Sequence, residues 1–369
     1  MNRRDAFRTG LAGFGAVVSA GTAHAAMSRV DDSMFGYQFR TFKQNETIRV
    51  GMVGTDGHVA TVLGSIGSGT GTTLVAYANR ANTSLNLPRG VKLYNDYEEM
   101  FDREKLDVVG VCMPYHRNAE VSVAAAERGL HIISEKPVAT TLDDLAKLLA
   151  TVVHNRVRLT TMLEMRLHPP FKAVHDAVAA GMIGEPVLAT AQKSYKFGES
   201  RPEFYKNLET YGGTIPWVGI HAIDFIKFGA GMGFRRVAAF HGNAAHPDYP
   251  GCQDHAGVLL AFENGGTAMV NMDYQRPDKA PTHGDDRLRI IGTEGVVEVK
   301  DLAMRVELIT HSREPVDLEL PEPEPFFVDF VRELRGGEPH VLTAADAFEM
   351  TRVSLVARNA ALDGRIMAL

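Results

Sequence analysis

Cysteine and tryptophan are nearly missing from this chain: two and one in 369 residues. Cys112 and Cys252 are too few for a disulfide framework, so the fold must rest on an apolar core. Cys112 lies in an apolar, strand-like run, which makes a buried free thiol its expected state. Charge of one sign is also scarce. Forty-five acidic against 39 basic residues leave a net charge of -6, and no basic run follows the N-terminus. That balance argues against nucleic acid as the principal partner. No run of about 18 or more apolar residues occurs in the mature body, so no membrane span is expected there. His241, His246, Cys252, Asp254 and His255 are metal-ligand types, but their spacing matches no zinc pattern; a loop is expected and a metal is not. What is present, 45% hydrophobic and 23% charged residues, describes a soluble globular protein long enough for two domains.

The first 26 residues read as an address. Asn2-Arg3-Arg4-Asp5-Ala6-Phe7-Arg8 precedes a Gly/Ala-rich apolar run from Leu11 to Ala20, and Ala23-His24-Ala25 offers a small-x-small cleavage site. The paired arginines resemble the twin-arginine type of export signal, which implies a periplasmic or secreted protein, cytoplasmic otherwise. Ala6 stands where such signals usually carry an aromatic residue. Residues 27–46 read as a polar linker outside the core.

From 47 to 162 strand and helix patterns alternate. Strands are expected at Thr47 to Val53, Thr73 to Ala78, Lys92 to Tyr94, Leu106 to Cys112, His131 to Ser134 and Arg158 to Met162. A weak helical run ends at Ser65; stronger ones cover Ala119 to Arg128 and Leu142 to His154. Such alternation implies βαβ units and a parallel sheet. Its first strand-to-helix turn, Gly54-Thr55-Asp56-Gly57-His58, is where a dinucleotide's pyrophosphate would lie. The G-x-G-x-x-G pattern is only partly met, because Asp56 replaces the second Gly and Val59 the third. A capped turn without a ligand remains an equal reading of those residues. At the end of the second strand, Asn79 can bond a ribose hydroxyl and Arg80 can pair with a 2′-phosphate, which leans toward NADP and leaves NAD open. At the fifth, Glu135-Lys136-Pro137 places one ammonium group at the carboxyl end of a parallel strand, where open α/β sheets bind ligands.

Met113-Pro114-Tyr115-His116, Gly129, Glu135-Lys136-Pro137, Gly181-Met182-Ile183-Gly184-Glu185, the segment from Tyr211 to Asp224, and Leu288 to Gly295 occur in a telling order. With these motifs the chain resembles the glucose–fructose oxidoreductase / inositol dehydrogenase family, Gfo/Idh/MocA, over most of residues 47–369. The resemblance implies an N-terminal Rossmann domain (47–162) and an α+β domain with a large, mostly antiparallel sheet (163–369) for substrate binding and homo-oligomer contacts. Alternating segments at Ala256 to Phe262, Thr267 to Tyr274 and Gly295 to Lys300, with a hairpin turn at Asn264-Gly265-Gly266, agree. Pro321 to Pro325 reads as a stiff connector, and Phe326 to Leu334 and Thr343 to Leu362 as helices.

The resemblance also implies chemistry: hydride transfer between a secondary hydroxyl of a sugar or polyol and NAD or NADP. Lys136 would position the hydroxyl, and His221 would serve as general base, a task suited to a pKa near neutrality. Gly54, Thr55, Asp56, Gly57, His58, Asn79, Arg80, Met113, Pro114, His116, Glu135 and Lys136 would surround the cofactor. Arg166, Trp217 and Asp224 are candidates for substrate binding, Trp217 by stacking on a sugar ring. Relatives often carry Asp where Trp217 stands, one helical turn before the histidine; Asp224, three residues after it, is the candidate replacement. Two other readings remain: a glycoside hydrolase or lyase using NAD through transient oxidation, and a non-catalytic ligand-binding member of the family.

Overall fold

In a computed structural model of the protein, residues 27–67, 69–80, 85–198 and 201–369 are described. The expected export signal, 1–26, lies outside them. Among the described residues no helix is long and apolar enough to cross a membrane.

Residues 48–161 form a six-stranded parallel sheet. Its strands are β1 (Ile48–Val53), β2 (Thr72–Ala78), β3 (Lys92–Tyr94), β4 (Val108–Val111), β5 (His131–Ser134) and β6 (Leu159–Thr161), in the order β3-β2-β1-β4-β5-β6. The order reverses between β1 and β4, and open α/β sheets bind ligands outside the strand ends at such a point. β4 and β5 are buried at every position, as strands covered on both faces must be, which is why they read as unbroken apolar runs. The helices α1 (Val59–Leu63), α2 (Tyr97–Arg103), α3 (Asn118–Glu127) and α4 (Leu142–Asn155) connect them. Thr141 caps α4 by accepting from the Asp144 N–H, and Leu142, Leu145, Leu148 and Val152 form its buried stripe. Each buried Leu stabilises the domain by about 1.5–3 kcal/mol, and Thr141→Ala would cost about 1 kcal/mol. α1 has only five residues, shorter than the run to Ser65 suggests, because Gly64 ends it.

Downstream come α5 (Pro169–Ala179), β7 (Pro186–Tyr195), α6 (Leu208–Tyr211), α7 (Ile220–Ala230), β8 (Phe234–Gly242), β9 (His255–Phe262), β10 (Thr267–Asp273), β11 (Gly284–Gly292), β12 (Gly295–Lys300), β13 (Arg305–Thr310), β14 (Arg313–Asp317), α8 (Phe326–Leu334), α9 (Ala344–Asp363) and β15 (Met367–Ala368). The nine strands form one sheet, β14-β13-β12-β11-β7-β10-β9-β8-β15, antiparallel except where β10 meets β7. Alternate residues Ala256, Val258, Leu260 and Phe262 of β9 are buried, while Leu259 between them is 48% exposed. Helices α5, α7 and α9 pack on the sheet. In the expected turn, Asn264 accepts from the Gly266 N–H.

Residues 27–46 are not the linker that their polarity suggests. Val30, Phe35 and Phe42 are buried. Phe35 stacks on Phe348 of α9 at 5.9 Å, the Tyr37 hydroxyl donates to the Val157 carbonyl, and the Phe42 N–H donates to the Leu334 carbonyl. A few widely spaced apolar side chains among polar ones are enough to dock an extended strap when the partner groove already exists, and periodicity cannot reveal such a strap.

The helix α9 touches α4 and β6 of the first domain and α7 and β8 of the second. From it, one Nη of Arg358 donates to the carbonyls of Thr140 and Gly212, at 2.7 and 2.9 Å. One guanidinium thereby ties the loop after Lys136 to the loop before Trp217.

Candidate functional site

Two cavities mark the site, and Glu135, Lys136 and Pro137 line neither of them. The first, of about 350 Å³, opens at the β1/β4 reversal and is lined by Gly54, Asp56, Asn79, Arg80, Asn95, Met113, Pro114 and Arg117. Gly54 has φ +78°, and a Cβ there would lie 2.2 Å from the Cys112 carbonyl oxygen, so only glycine permits this close crossing of β1 and β4. Asn79 donates through Nδ2 to the Asn95 carbonyl, leaving its buried Oδ1 without a partner among the described residues. An unpaired buried acceptor on the cavity wall suits a ribose hydroxyl. The residues present therefore fit a dinucleotide. Asp56 does not help: it brings a carboxyl to the phosphate end. Burial, reinforced by Glu135, pushes its pKa up to about 6.

Part of the glycine turn is already bonded. The Asp56 N–H donates to the Cys112 carbonyl, and the His58 N–H to Glu135 Oε2. Gly57 has φ +78°, and a Cβ on it would meet that same carboxylate at 2.2 Å. Thr55 lies within this turn. His116, expected at the cofactor, instead turns its Nδ1 to the Thr210 carbonyl of the second domain.

Lys136 is 1% exposed, in a turn whose Lys136–Pro137 peptide is cis. Its Nζ donates to the Trp217 carbonyl at 2.8 Å and lies 3.1 Å from the centre of the Trp217 ring. Burial pulls its pKa down to about 7, with Lys193 and Arg201 acting the same way and Glu135 and Glu164 opposing. Trp217 stacks on Tyr115 at 3.9 Å. It therefore covers an ammonium and an aromatic ring; the face proposed for a sugar is already occupied. Ile215–Gly219 winds as a π-helical turn before α7, a wide turn often found at functional sites.

The second cavity, of about 310 Å³, is lined by His58, Glu164, Met165, His168, Lys193, Tyr195, His221, Gly284, Asp286, Leu302 and Ala303. His221, on α7, is 2% exposed, and neither ring nitrogen has a partner among the described residues. Burial, with Lys136, Lys193 and His58 nearby, holds its pKa well below the usual histidine value. Lys193 and Asp286 are register partners on β7 and β11, joined at 2.7 Å. Burial works against the Lys193 charge, but Tyr195 and Asp286 more than offset it.

Arg166 and Asp224 are placed elsewhere. Arg166 pairs with Asp224 at 2.6 Å and with Asp346 at 2.6 Å, and neither Arg166 nor Asp224 lines either cavity. Asp224 is thus committed to an ion pair and does not orient His221. This pair could be suspected from the sequence, since an arginine at a domain junction pairs as readily as it binds substrate. Asp254, in the His-rich loop, accepts from the Ala244 and Ala245 N–H groups and holds His246 and His255. Lys193, Tyr195 and Asp286 escape sequence reading because pairing register alone brings them together. Asn118 escapes as well; its Nδ2 donates to the Glu135 and Pro137 carbonyls and its Oδ1 accepts from the Met113 N–H.

Residues 48–162 match the model for the oxidoreductase family with an NAD-binding Rossmann fold, and residues 171–298 match that for the GFO/IDH/MocA C-terminal domain. The chain belongs to the Gfo/Idh/MocA family. A Thermotoga maritima oxidoreductase structure, whose name specifies no reaction, is 35% identical with a TM-score of 0.81, covering 87% of this chain and 100% of its own. Among curated Gfo/Idh/MocA relatives, a Haloferax volcanii D-xylose 1-dehydrogenase (NADP(+)) is 25% identical over 55% of this chain and 60% of its own. A Thermotoga maritima myo-inositol 2-dehydrogenase is 26% identical over 55% of this chain and 59% of its own. The chain spans 57–60% of the length of the first curated relatives.

Proposed function

We propose that this protein is an NAD(P)-dependent oxidoreductase acting on a secondary hydroxyl of a sugar or polyol. The observation that carries the reading is His221: a buried imidazole whose two nitrogens have no partner among the described residues, on the wall of a polar cavity beside Lys136. A buried polar group left unpaired costs about 1–3 kcal/mol, so its partner is expected to be a ligand. Gly54, Asn79, Arg80, Met113 and Pro114 would hold the nucleotide in the first cavity. The nicotinamide, when bound, accepts the hydride.

The protein's own groups handle the hydroxyl. Neutral His221 is in the form that accepts a proton. Lys136, with a pKa near 7, binds the hydroxyl oxygen and changes charge with little cost near neutrality. Lys193, Asp286, Tyr195 and His168 offer donors and acceptors to the remaining hydroxyls, which fits a polyhydroxylated substrate and not an apolar one. The dehydrogenase names of the relatives support the substrate class. Asn79 beside Arg80 is compatible with both NAD and NADP.

The open face of the nine-stranded sheet carries Phe240, Leu259 and Met269 at 78%, 48% and 44% exposure. Leu259 and Met269 are register neighbours, so we propose that this face meets a second copy of the chain. Export through the N-terminal segment remains our proposal from its sequence.

The test is nicotinamide absorbance with purified protein, NAD or NADP, and a panel of aldoses, anhydrosugars and inositols. His221→Gln should lower kcat by about 100-fold or more while nucleotide affinity is kept. No turnover on any panel member, or a His221→Gln variant as fast as wild type, would refute the reading.

A further inference from the structure

A buried imidazole that takes up a proton needs a route to pass it on. His221 has none of the usual ones. Position 217 carries an indole, and Asp224 is held by Arg166. A second imidazole is close, however. The His58 ring, from the glycine turn of the other domain, lies 5.8 Å from that of His221, centre to centre, at 72°.

His58 has what His221 lacks. Its Nδ1 lies 2.9 and 3.0 Å from the two oxygens of Glu135, a residue with no solvent exposure. The His58 backbone N–H goes to the same carboxylate. Burial pushes the Glu135 pKa up, but His58 and Lys136 outweigh it and hold the group ionised. An ionised carboxylate only accepts, so Nδ1 carries the hydrogen and the lone pair of His58 is on Nε2. The His58 side chain is 30% exposed and lines the same 310 Å³ cavity as His221. Facing it are Glu135 from the end of β5, Trp217 and His221 from the π turn and α7, and Glu164, Lys193 and Asp286 around the cavity.

We propose that Glu135 and His58 form a carboxylate–imidazole couple that receives the substrate proton from His221, replacing from the opposite domain the carboxylate absent at position 217. This rests on the dehydrogenase reading above. In the oxidation, the substrate carbon gives up a hydride, with both electrons, to the nicotinamide, and the hydroxyl gives up its proton to His221. That proton then passes to Nε2 of His58, through one water at this ring separation, and from His58 to solvent. The reduction runs the same path backward. His58 acts through His221, so it is a positioning and relay residue and not a catalytic one. The burial of His221 drives the transfer outward, because its cation is disfavoured beside two lysines, whereas the cation of His58 is backed by Glu135.

Two measurements on the full-length protein test this. The first is a pH titration of ring-labelled histidines by NMR, without cofactor, in wild type, His58→Gln and Glu135→Gln. The couple requires the His221 midpoint to move by about one unit in His58→Gln and to move in Glu135→Gln as well, as interacting sites do. Independent titration of the two rings overturns the proposal. The second is kinetic. His58→Gln should lower kcat about 10- to 100-fold with KM nearly unchanged, and added imidazole should restore part of the loss. A merely structural pair would change stability or nucleotide affinity and show no rescue. Wild-type kcat in His58→Gln overturns the relay while leaving the dehydrogenase intact. A wild type inert toward every sugar fells the dehydrogenase reading, and the relay with it, whatever the NMR shows.

Discussion

Replacing Lys136 with methionine should make the protein more stable, and more so in acid than in base. Lys136 is 1% exposed with its pKa lowered to about 7, against about 10.4 for an ordinary lysine. A lowered lysine pKa means that the folded state binds the proton less well than the unfolded state. The penalty is complete below the folded pKa, near 7, and fades as pH rises toward the unfolded value. At about 1.4 kcal/mol per unit, the charged lysine costs the fold about 4–5 kcal/mol at about pH 6 and about 1–2 kcal/mol at about pH 9.5. Methionine fills a similar volume without the charge and gives up the bond to the Trp217 carbonyl and the contact with its ring, about 1–2 kcal/mol together. Lys136→Met should therefore be about 2–3 kcal/mol more stable than wild type at about pH 6, and the difference should shrink to near zero at about pH 9.5. Urea unfolding followed by far-UV circular dichroism at both pH values measures this. The same variant should have lost turnover. A variant less stable than wild type by equal amounts at both pH values would refute the reasoning, because it would place Lys136 as an ordinary structural cation.

Arg166→Met leaves Asp224 as a buried carboxylate without its cation, while half-buried Asp346 keeps Lys227, and should cost about 3–5 kcal/mol in chemical unfolding. Asp224→Asn should destabilise too, yet leave the pH profile of kcat as in wild type, since Asp224 does not bond His221. Asp56, with its pKa near 6, should weaken NAD binding above that pH by opposing the pyrophosphate; the Kd measured calorimetrically should fall by about tenfold as pH drops through 6, and Asp56→Asn should abolish the slope. Phe240→Lys, on the open sheet face, should reduce the mass seen by light scattering to that of one chain without changing the Tm of the fold by more than a few degrees.

The parallel sheet was legible because strands buried on both faces leave continuous apolar runs, and β12 and β10 were legible from alternation ended by a turn. Lys136 and His221 could be located because a strand-end motif and a helix carry them. The strap at 27–46 was not legible: its few apolar residues have no period, and their partners, Phe348 and Leu334, lie some 300 residues away. The π-helical turn was equally hidden. It differs from an α turn by one backbone register, which no residue pattern in Ile215–Gly219 marks. Arg166 and Asp224 were misplaced because sequence spacing shows which side chains share a face and not which of them is already paired. The cavity residues Lys193 and Asp286 depend on the β7–β11 register, which no local pattern encodes.

Arg358 has a consequence for how this scaffold could change its substrate. Burial draws its pKa down to about 10, and its guanidinium holds the Thr140 and Gly212 carbonyls from behind both loops. The loops next to the amine and the imidazole are thus braced from the far end of the chain, away from the cavity where the proposed substrate would lie. Side chains on β7 and β11 can be exchanged to admit a different ring size or hydroxyl pattern while that brace stays untouched. Libraries directed at those strands, with α9 left alone, should retain turnover more often than libraries that include the brace.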